Sequence, residues 1–284
     1  MTLLRRKTVV VAAVVLVLAF AFLVTSYHRR MRYQEAIRLS EAGETERAYE
    51  IFSALGYADS SERAQGLVEA DPALPYRSAA KGDTVAFGSY EQDNDTSDGR
   101  EPIQWIVLDK IGDQLLLLSA DCLEGRQYHH VPFTNVTWEN SDLRAWMNGS
   151  FFDEAFSPAQ QRLVRTVRNE NDDQSVTGAQ GGAATDDRVF ALSETDTIIY
   201  LNNREKRSDI GAAPATQYAL AGALSVNDDG MADWWLRSPG TYGFAAQFVN
   251  TSGAPVASGA NVDARYGVRP ALWITIAKVG EGQQ

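Results

Sequence analysis

The side chains best able to do chemistry in this chain come in short, separated groups. His129 and His130 are adjacent, and adjacent side chains in a strand point to opposite faces, so they are expected not to reach one metal. Asp172-Asp173, Asp186-Asp187 and Asp228-Asp229 offer carboxylate pairs. Acid–base work on a glycosidic bond needs two carboxylates at a set separation in space. In their polar, glycine-rich surroundings these pairs read instead as solvated loop residues. No HExxH, GxSxG or phosphate-loop string is present. Cys122 is the sole cysteine, which removes an intramolecular disulfide and an all-cysteine metal site. Its apolar neighbours mark it as a small buried hydrophobe. The stretch from Asp93 to Gly99 carries calcium-type oxygens, but glycine is displaced from the sixth position and no glutamate stands at the twelfth. It is expected to be a solvated hairpin loop. The expectation is therefore no catalytic residue, no metal and no cofactor.

Two stretches speak of framework. Trp234-Trp235-Leu236-Arg237-Ser238-Pro239-Gly240 and Gly267-Val268-Arg269-Pro270-Ala271-Leu272-Trp273 each set an arginine beside a proline among large apolar residues. A buried arginine needs carboxylate or carbonyl partners. Trp234, Trp235, Arg237, Arg269 and Trp273 are expected to be structural, with Glu194, Glu139 and Asp142 as candidate partners for the arginines. Between the two stretches lie Tyr242, Phe244, Gln247, Asn250, Asn261, Asp263, Arg265 and Tyr266, set among Gly, Ser and Ala. Tyr and Asn in small-residue loops make adaptable binding surfaces. These eight are the candidate ligand-binding residues, the competing reading being plain connections.

The elements that must position them change character along the chain. From Tyr33 to Ala70 the pattern is helical, with Ala48, Ile51, Phe52 and Leu55 on one stripe and Gly43 and Gly56 as C-terminal caps. Asp59 and Glu62 suggest a capping box. The run around Ala48 to Phe52 resembles one half of a tetratricopeptide repeat, a single unit of which makes a spacer and not a solenoid. Asp71-Pro72-Ala73-Leu74-Pro75 breaks the helix. From Gly82 the period becomes two, and Ile103 to Asp109 and Gln114 to Ala120 read as strands. Ser141 and Ser157-Pro158 mark helix starts. A loop is expected from Asn169 to Asp187, a strand at Val189 to Leu192 and a short helix at Thr216 to Ala221. Strands are expected again at Trp234 to Arg237, Phe244 to Asn250 and Val268 to Ile274. That order predicts an α+β domain.

The chain has 284 residues and a formal charge of −11. The acidic balance argues against nucleic acid as a partner. Thr8 to Thr25 is free of charge and almost wholly aliphatic, with basic residues on both flanks. Two readings compete: a signal peptide cleaved near Ala19-Phe20-Ala21, or an uncleaved transmembrane helix of roughly 18–20 residues. The second is preferred, because the apolar run continues to Val24. The expected organisation is a cytoplasmic head and anchor over residues 1–27, a helical spacer over 28–75 and an α+β domain over 76–284. The protein would then be a single-pass membrane protein with its C-terminal domain outside the cell.

Several motifs together are recognisable. Phe87-Gly88-Ser89-Tyr90, Pro102-Ile103-Gln104-Trp105, Trp138, Leu143-Arg144-Ala145-Trp146-Met147-Asn148, and the two arginine stretches resemble the signature of a bacterial domain family of unknown function. The likeness covers about Lys81 to Ile276. That family is in turn similar, more distantly, to the C-type-lectin and formylglycine-generating-enzyme folds, which implies a C-type-lectin-like α+β domain in which an early strand pairs with the last one, so that the domain's two chain ends meet. Sugar binding in such lectins uses calcium loops that this sequence does not reproduce. Formylglycine generation needs a cysteine pair that Cys122 alone cannot supply. The expectation is a non-catalytic binding domain for an envelope or extracellular protein or glycan; the alternative is an enzyme acting on envelope sugars or peptides.

Overall fold

The computed structural model describes residues 2–201 and 210–278, with side chains from residue 16 onward. It divides into a unit that runs to Arg77 and includes Lys278, and a second unit, Ser78–Ala277.

The first unit is helical: α1 (Thr2–Glu41), α2 (Thr45–Leu55) and α3 (Ser60–Ala70). The stripe Ala48, Ile51 and Phe52 on α2 packs against Ala36 of α1 and Ala64 of α3. Gly43 and Gly56 take positive φ and end α1 and α2, as their lack of a Cβ permits. Asp59 does not cap α3 through its side chain. It instead accepts hydrogen bonds from the Tyr33 hydroxyl and from Arg63, whose Nε lies 3.1 Å away. The expected transmembrane helix is corrected: among the described residues no helix is long and apolar enough to cross a membrane. Thr8 to Val15 lie outside the described side chains. The described part of the apolar run, Leu16 to Thr25, is exposed along α1. Beyond it, α1 continues into His28, Arg29 and Arg30.

The second unit is an α+β fold built on two five-stranded sheets. The first has the order β1 (Thr84–Tyr90), β2 (Glu101–Ile111), β3 (Gln114–Ser119), β14 (Ala271–Thr275), β5 (Val164–Arg165), all antiparallel. The Leu115 to Leu118 run of β3 is buried throughout, because β2 and β14 flank it and both faces are covered. The last strand pairs with the third, β14 with β3, and β1 stands at the sheet edge. Gly88, at φ +72, forms the bulge in β1, and a Cβ there would lie 2.6 Å from the Ala155 carbonyl oxygen. Trp105 donates its indole N–H to the Phe87 carbonyl in the same bulge, at 2.6 Å.

The second sheet runs β12 (Pro255–Asn261), β11 (Ala245–Val249), β10 (Trp234–Pro239), β13 (Arg265–Val268), β4 (Glu124–Gln127), with β10 and β13 parallel and the other pairs antiparallel. Two-residue to three-residue ribbons add β6 (Val167–Asn169) with β7 (Thr185–Asp187), and β8 (Ala213–Pro214) with β9 (Met231–Ala232). The expected loop from Asn169 to Asp187 therefore closes on itself as a β6–β7 ribbon. The expected strand at Val189 to Leu192 is a buried extended segment, with Phe190 bridged to Ala271. Helix α4 (Asp142–Trp146) begins at Ser141, whose hydroxyl accepts from Arg144 N–H, and Ser157 forms a full capping box on Pro158–Gln161.

Candidate functional site

Strand β4 ends at Gln127, and the chain bends through Tyr128 to His130 instead of continuing extended. The bend brings the two imidazoles together. Their ring centres are 4.9 Å apart, and the Nδ1 atoms of His129 and His130 lie 3.2 and 2.6 Å from Asp142 Oδ2. The expectation that the pair faces opposite ways is corrected, because alternation of side chains holds only inside a strand. Asp142, in the first turn of α4, also accepts the His130 backbone N–H at 2.8 Å. Burial pushes its carboxyl up, but the hydrogen bonds from His130 and the charges of both imidazoles bring it below its ordinary value. His130, Asp142, Arg126, Gln127 and Arg265 line an open polar cavity of about 270 Å³. Arg126 is held by Glu124 at 2.5 Å and lies 4.5 Å over the Trp146 ring, and Arg265 donates to the Gly125 carbonyl. The imidazole and carboxylate can move a proton, and among the described residues no hydroxyl or thiol is hydrogen-bonded to His130 to act as a nucleophile.

Three residues beyond His130 stands Phe133, at φ +52 and 69% exposed. A bulky residue in the left-handed region is strained, and nothing buried compensates it here. Its ring packs edge-on to Phe244 at 5.7 Å, and Phe244 stacks on Tyr242 at 5.2 Å with only 9° between the planes. Backbone bonds tie this cluster to the polar cavity: His129 N–H donates to the Val262 carbonyl, Val262 N–H to Phe244, and Val136 N–H to Gly243. Tyr242 is 61% exposed. The result is a solvent-facing aromatic platform beside a cavity lined by two arginines.

The remaining candidate binding residues scatter. Gln247 is fully buried and donates to Glu194 and to the Pro239 carbonyl. Asn250 builds its own turn, accepting from Ser252 and Ala254. Asp263 accepts from Gln127 through its carbonyl, and Asn261 ends β12 at the surface. Tyr266 packs on Trp235 at 4.6 Å and on Phe248 at 4.7 Å, half-buried. Burial raises its phenol above the ordinary value.

The framework residues are inside, apart from Trp273, which is half-buried in β14. Arg237 pairs with Asp196 at 2.6 Å and donates to the Ala191 carbonyl. Arg269, 1% exposed, donates to the carbonyls of Ser119 and Ile210 and lies 5.1 Å from the Trp234 ring centre; among the described residues no carboxylate is in hydrogen-bond contact with it. None of Glu194, Glu139 and Asp142 serves either arginine. Cys122 is buried, which pushes its thiol up to about 12.

A residue taken for solvated proves to be the hub that holds α4 in place. Asp187 is completely buried. It accepts from Arg144 Nε at 2.6 Å, Thr185 Oγ1 at 2.7 Å, and Trp138 Nε1 and Asn169 Nδ2 at 3.0 Å. The sequence holds no signal for this, since Asp186 and Asp187 are identical neighbours and the Trp138 to Asn148 stretch carries its own acceptors in Glu139 and Asp142.

In the β1–β2 hairpin, Glu91, Asp93 and Glu101 bring carboxylate oxygens within 4.8 Å of one another. Burial, then the charge of Glu101, raises the Glu91 carboxyl. Asp93 and Asp95 accept backbone N–H groups of their own loop, so that the expected hairpin loop is internally tied.

No curated protein matches this chain, and no solved structure does. A family model matches residues 112–276, more than half of the chain; the expected stretch from Lys81 is longer, and its motifs at Phe87 to Tyr90 and Pro102 to Trp105 lie outside the match. The chain thus belongs to the family described as domain of unknown function (DUF6273).

Proposed function

We propose that the second unit is a non-catalytic recognition domain that binds an acidic saccharide. The observation that carries this reading is the exposed Tyr242–Phe244 stack, joined edge-on by Phe133, beside the cavity of Arg126, Gln127, His130, Asp142 and Arg265. An aromatic plane takes the apolar face of a pyranose ring. Guanidinium groups at its side give carboxylate oxygens donors in a planar fork. Exposed aromatic clusters rimmed by polar groups mark binding surfaces, and the strained backbone at Phe133 fits a residue held for contact with a ligand. The lectin-like resemblance expected from the sequence motifs would agree with this reading, and the ligand would be an envelope or extracellular glycan.

The test is a panel of acidic and neutral oligosaccharides, read by calorimetry and by chromatography of the recovered sugar. The expected result is retention of uronic-acid-bearing glycans, unaltered, with Tyr242→Ala and Arg265→Ala each weakening binding about ten-fold, or ~1.4 kcal/mol. Cleaved sugar would establish the enzyme reading instead. Binding that is indifferent to Tyr242→Ala, or absent for every saccharide, would remove the proposal.

A further inference from the structure

His129, His130 and Asp142 meet the geometry of a metal site, and we infer that they hold one divalent transition-metal ion of the zinc class. Their ligand atoms lie within 4.8 Å of one another. Bonds of about 2.0–2.1 Å in a tetrahedron set neighbouring ligand atoms a little over 3 Å apart. The His129 Nδ1 to Asp142 Oδ2 distance of 3.2 Å already matches that spacing. His130 Nδ1, at 2.6 Å, has to withdraw by less than an ångström, and its ring is free to do so because it is 71% exposed. His129 supplies a further sign: its Nδ1 is closed to solvent and, although 3.2 Å from Asp142 Oδ2, makes no hydrogen bond. Such an orphaned nitrogen costs free energy unless something binds it. Two imidazoles and one carboxylate select zinc, nickel, copper or cobalt over calcium and magnesium, which prefer all-oxygen shells. The neighbouring arginines do not forbid a cation, since Arg126 is neutralised by Glu124 and Arg265 is engaged with the Gly125 carbonyl.

Three protein ligands leave a fourth position, and the polar cavity that His130 and Asp142 line is open beside it. That position takes an oxygen of the bound acidic ligand. This last step rests on the saccharide-binding reading, whereas the metal site stands on its own geometry.

The test uses the full chain stripped with chelator and titrated with cobalt(II) alone, followed by visible absorption, and then with zinc(II) by calorimetry. The expected result is saturation at one ion per chain, with the intense visible bands of low-coordinate cobalt displaced by zinc. His130→Ala and Asp142→Asn each weaken binding at least about ten-fold, as loss of a ligand does, while His28→Ala leaves it unchanged. Circular dichroism shows whether the variants fold, which the exposure of His130 and Asp142 favours. No saturation at about a hundred-fold excess of metal, or equal affinity in His130→Ala, overturns the site. Metal binding with saccharide retention that ignores chelator overturns only the fourth-position step. Loss of saccharide binding in Tyr242→Ala is read separately and reports on the platform alone.

Discussion

Asp187 gives the sharpest test of how this fold is held, because its neighbour Asp186 differs from it in burial and in little else. The perturbation is Asp187→Asn, which keeps the shape and removes the charge. Whichever way the amide turns, one of its ends becomes a donor. If the amide nitrogen faces Arg144, a charge-assisted bond worth about 1.5–3 kcal/mol is lost and two donors oppose each other. If it faces the other side, the Trp138, Asn169 and Thr185 donors lose their shared acceptor, at roughly 1–3 kcal/mol for each buried group left unpaired. The first arrangement is the less costly. Weakening of the three neutral bonds to a now uncharged oxygen adds to it, while the quarter exposure of Arg144 lets water recover part of the loss. The net expectation is about 3–5 kcal/mol, in the range for breaking a buried ion pair. In a unit of this size each kcal/mol moves the melting temperature by about 2–4 °C, so Tm falls by roughly 6–20 °C. Asp186→Asn, at the exposed position, changes stability by no more than about 0.5 kcal/mol. Calorimetric melts of the two variants decide the matter. If both lie within about 2 °C of the parent, the carboxylate hub does not hold α4 and the reasoning fails.

Arg269→Ala strands the Ser119 and Ile210 carbonyls and is expected to cost about 3–5 kcal/mol by urea unfolding, given ~1–3 for each lost acceptor pairing; a variant that unfolds with the parent would show the guanidinium to be dispensable, even though burial pushes it down to about 10. Phe133→Gly relieves a left-handed backbone and is expected to raise stability by about 1 kcal/mol while weakening saccharide binding; a variant that is destabilised and binds normally would contradict both halves. Glu91 has a raised folded-state pKa, caused first by burial and then by Glu101, so its charged form is disfavoured in the fold. That penalty is present at neutral pH and relieved as pH falls through the raised value. Melts of Glu91→Gln against the parent at pH 7 and pH 4 should therefore favour the variant more at pH 7, and a larger advantage at pH 4 would reverse the assignment.

What the sequence revealed is what its local chemistry decides. Ser141, Ser157-Pro158 and Thr216 mark helix starts because a cap is settled within four residues, and all three hydroxyls accept the expected N–H. Leu115 to Leu118 read as a buried strand from its unbroken apolar run. Strands β4 and β12 stayed hidden because Glu124–Gln127 and Pro255–Asn261 hold few large apolar residues and owe their extended form to their partners β13 and β11. Asp186 and Asp187 are alike in sequence; only donors brought from Trp138, Arg144 and Asn169 separate them. The candidate site was half legible for the same reason. Tyr242, Phe244 and Arg265 were found in one stretch, but His130, Phe133 and Asp142 reach them only through the bend after β4. The apolar stretch near the start misled, since its composition suggested a span that the described helix does not provide.

The place of β13 and β14 in the two sheets bears on how the chain is made. Ala271 pairs with Leu118 and Tyr266 with Arg126, so β3 and β4 each wait for a partner strand synthesised long after them. At about 5–20 residues per second, roughly 8–30 s pass on the ribosome between the emergence of β3 and that of β14. Through that interval the leucine edge of β3 is bare and β4 has no partner, an invitation to pairing with other chains. The closing of a long loop also comes before its contacts repay it, which slows folding. Changes in residues 265–275 should thus tell first on yield and aggregation during synthesis, before the affinity of any molecule that did complete its sheets is altered.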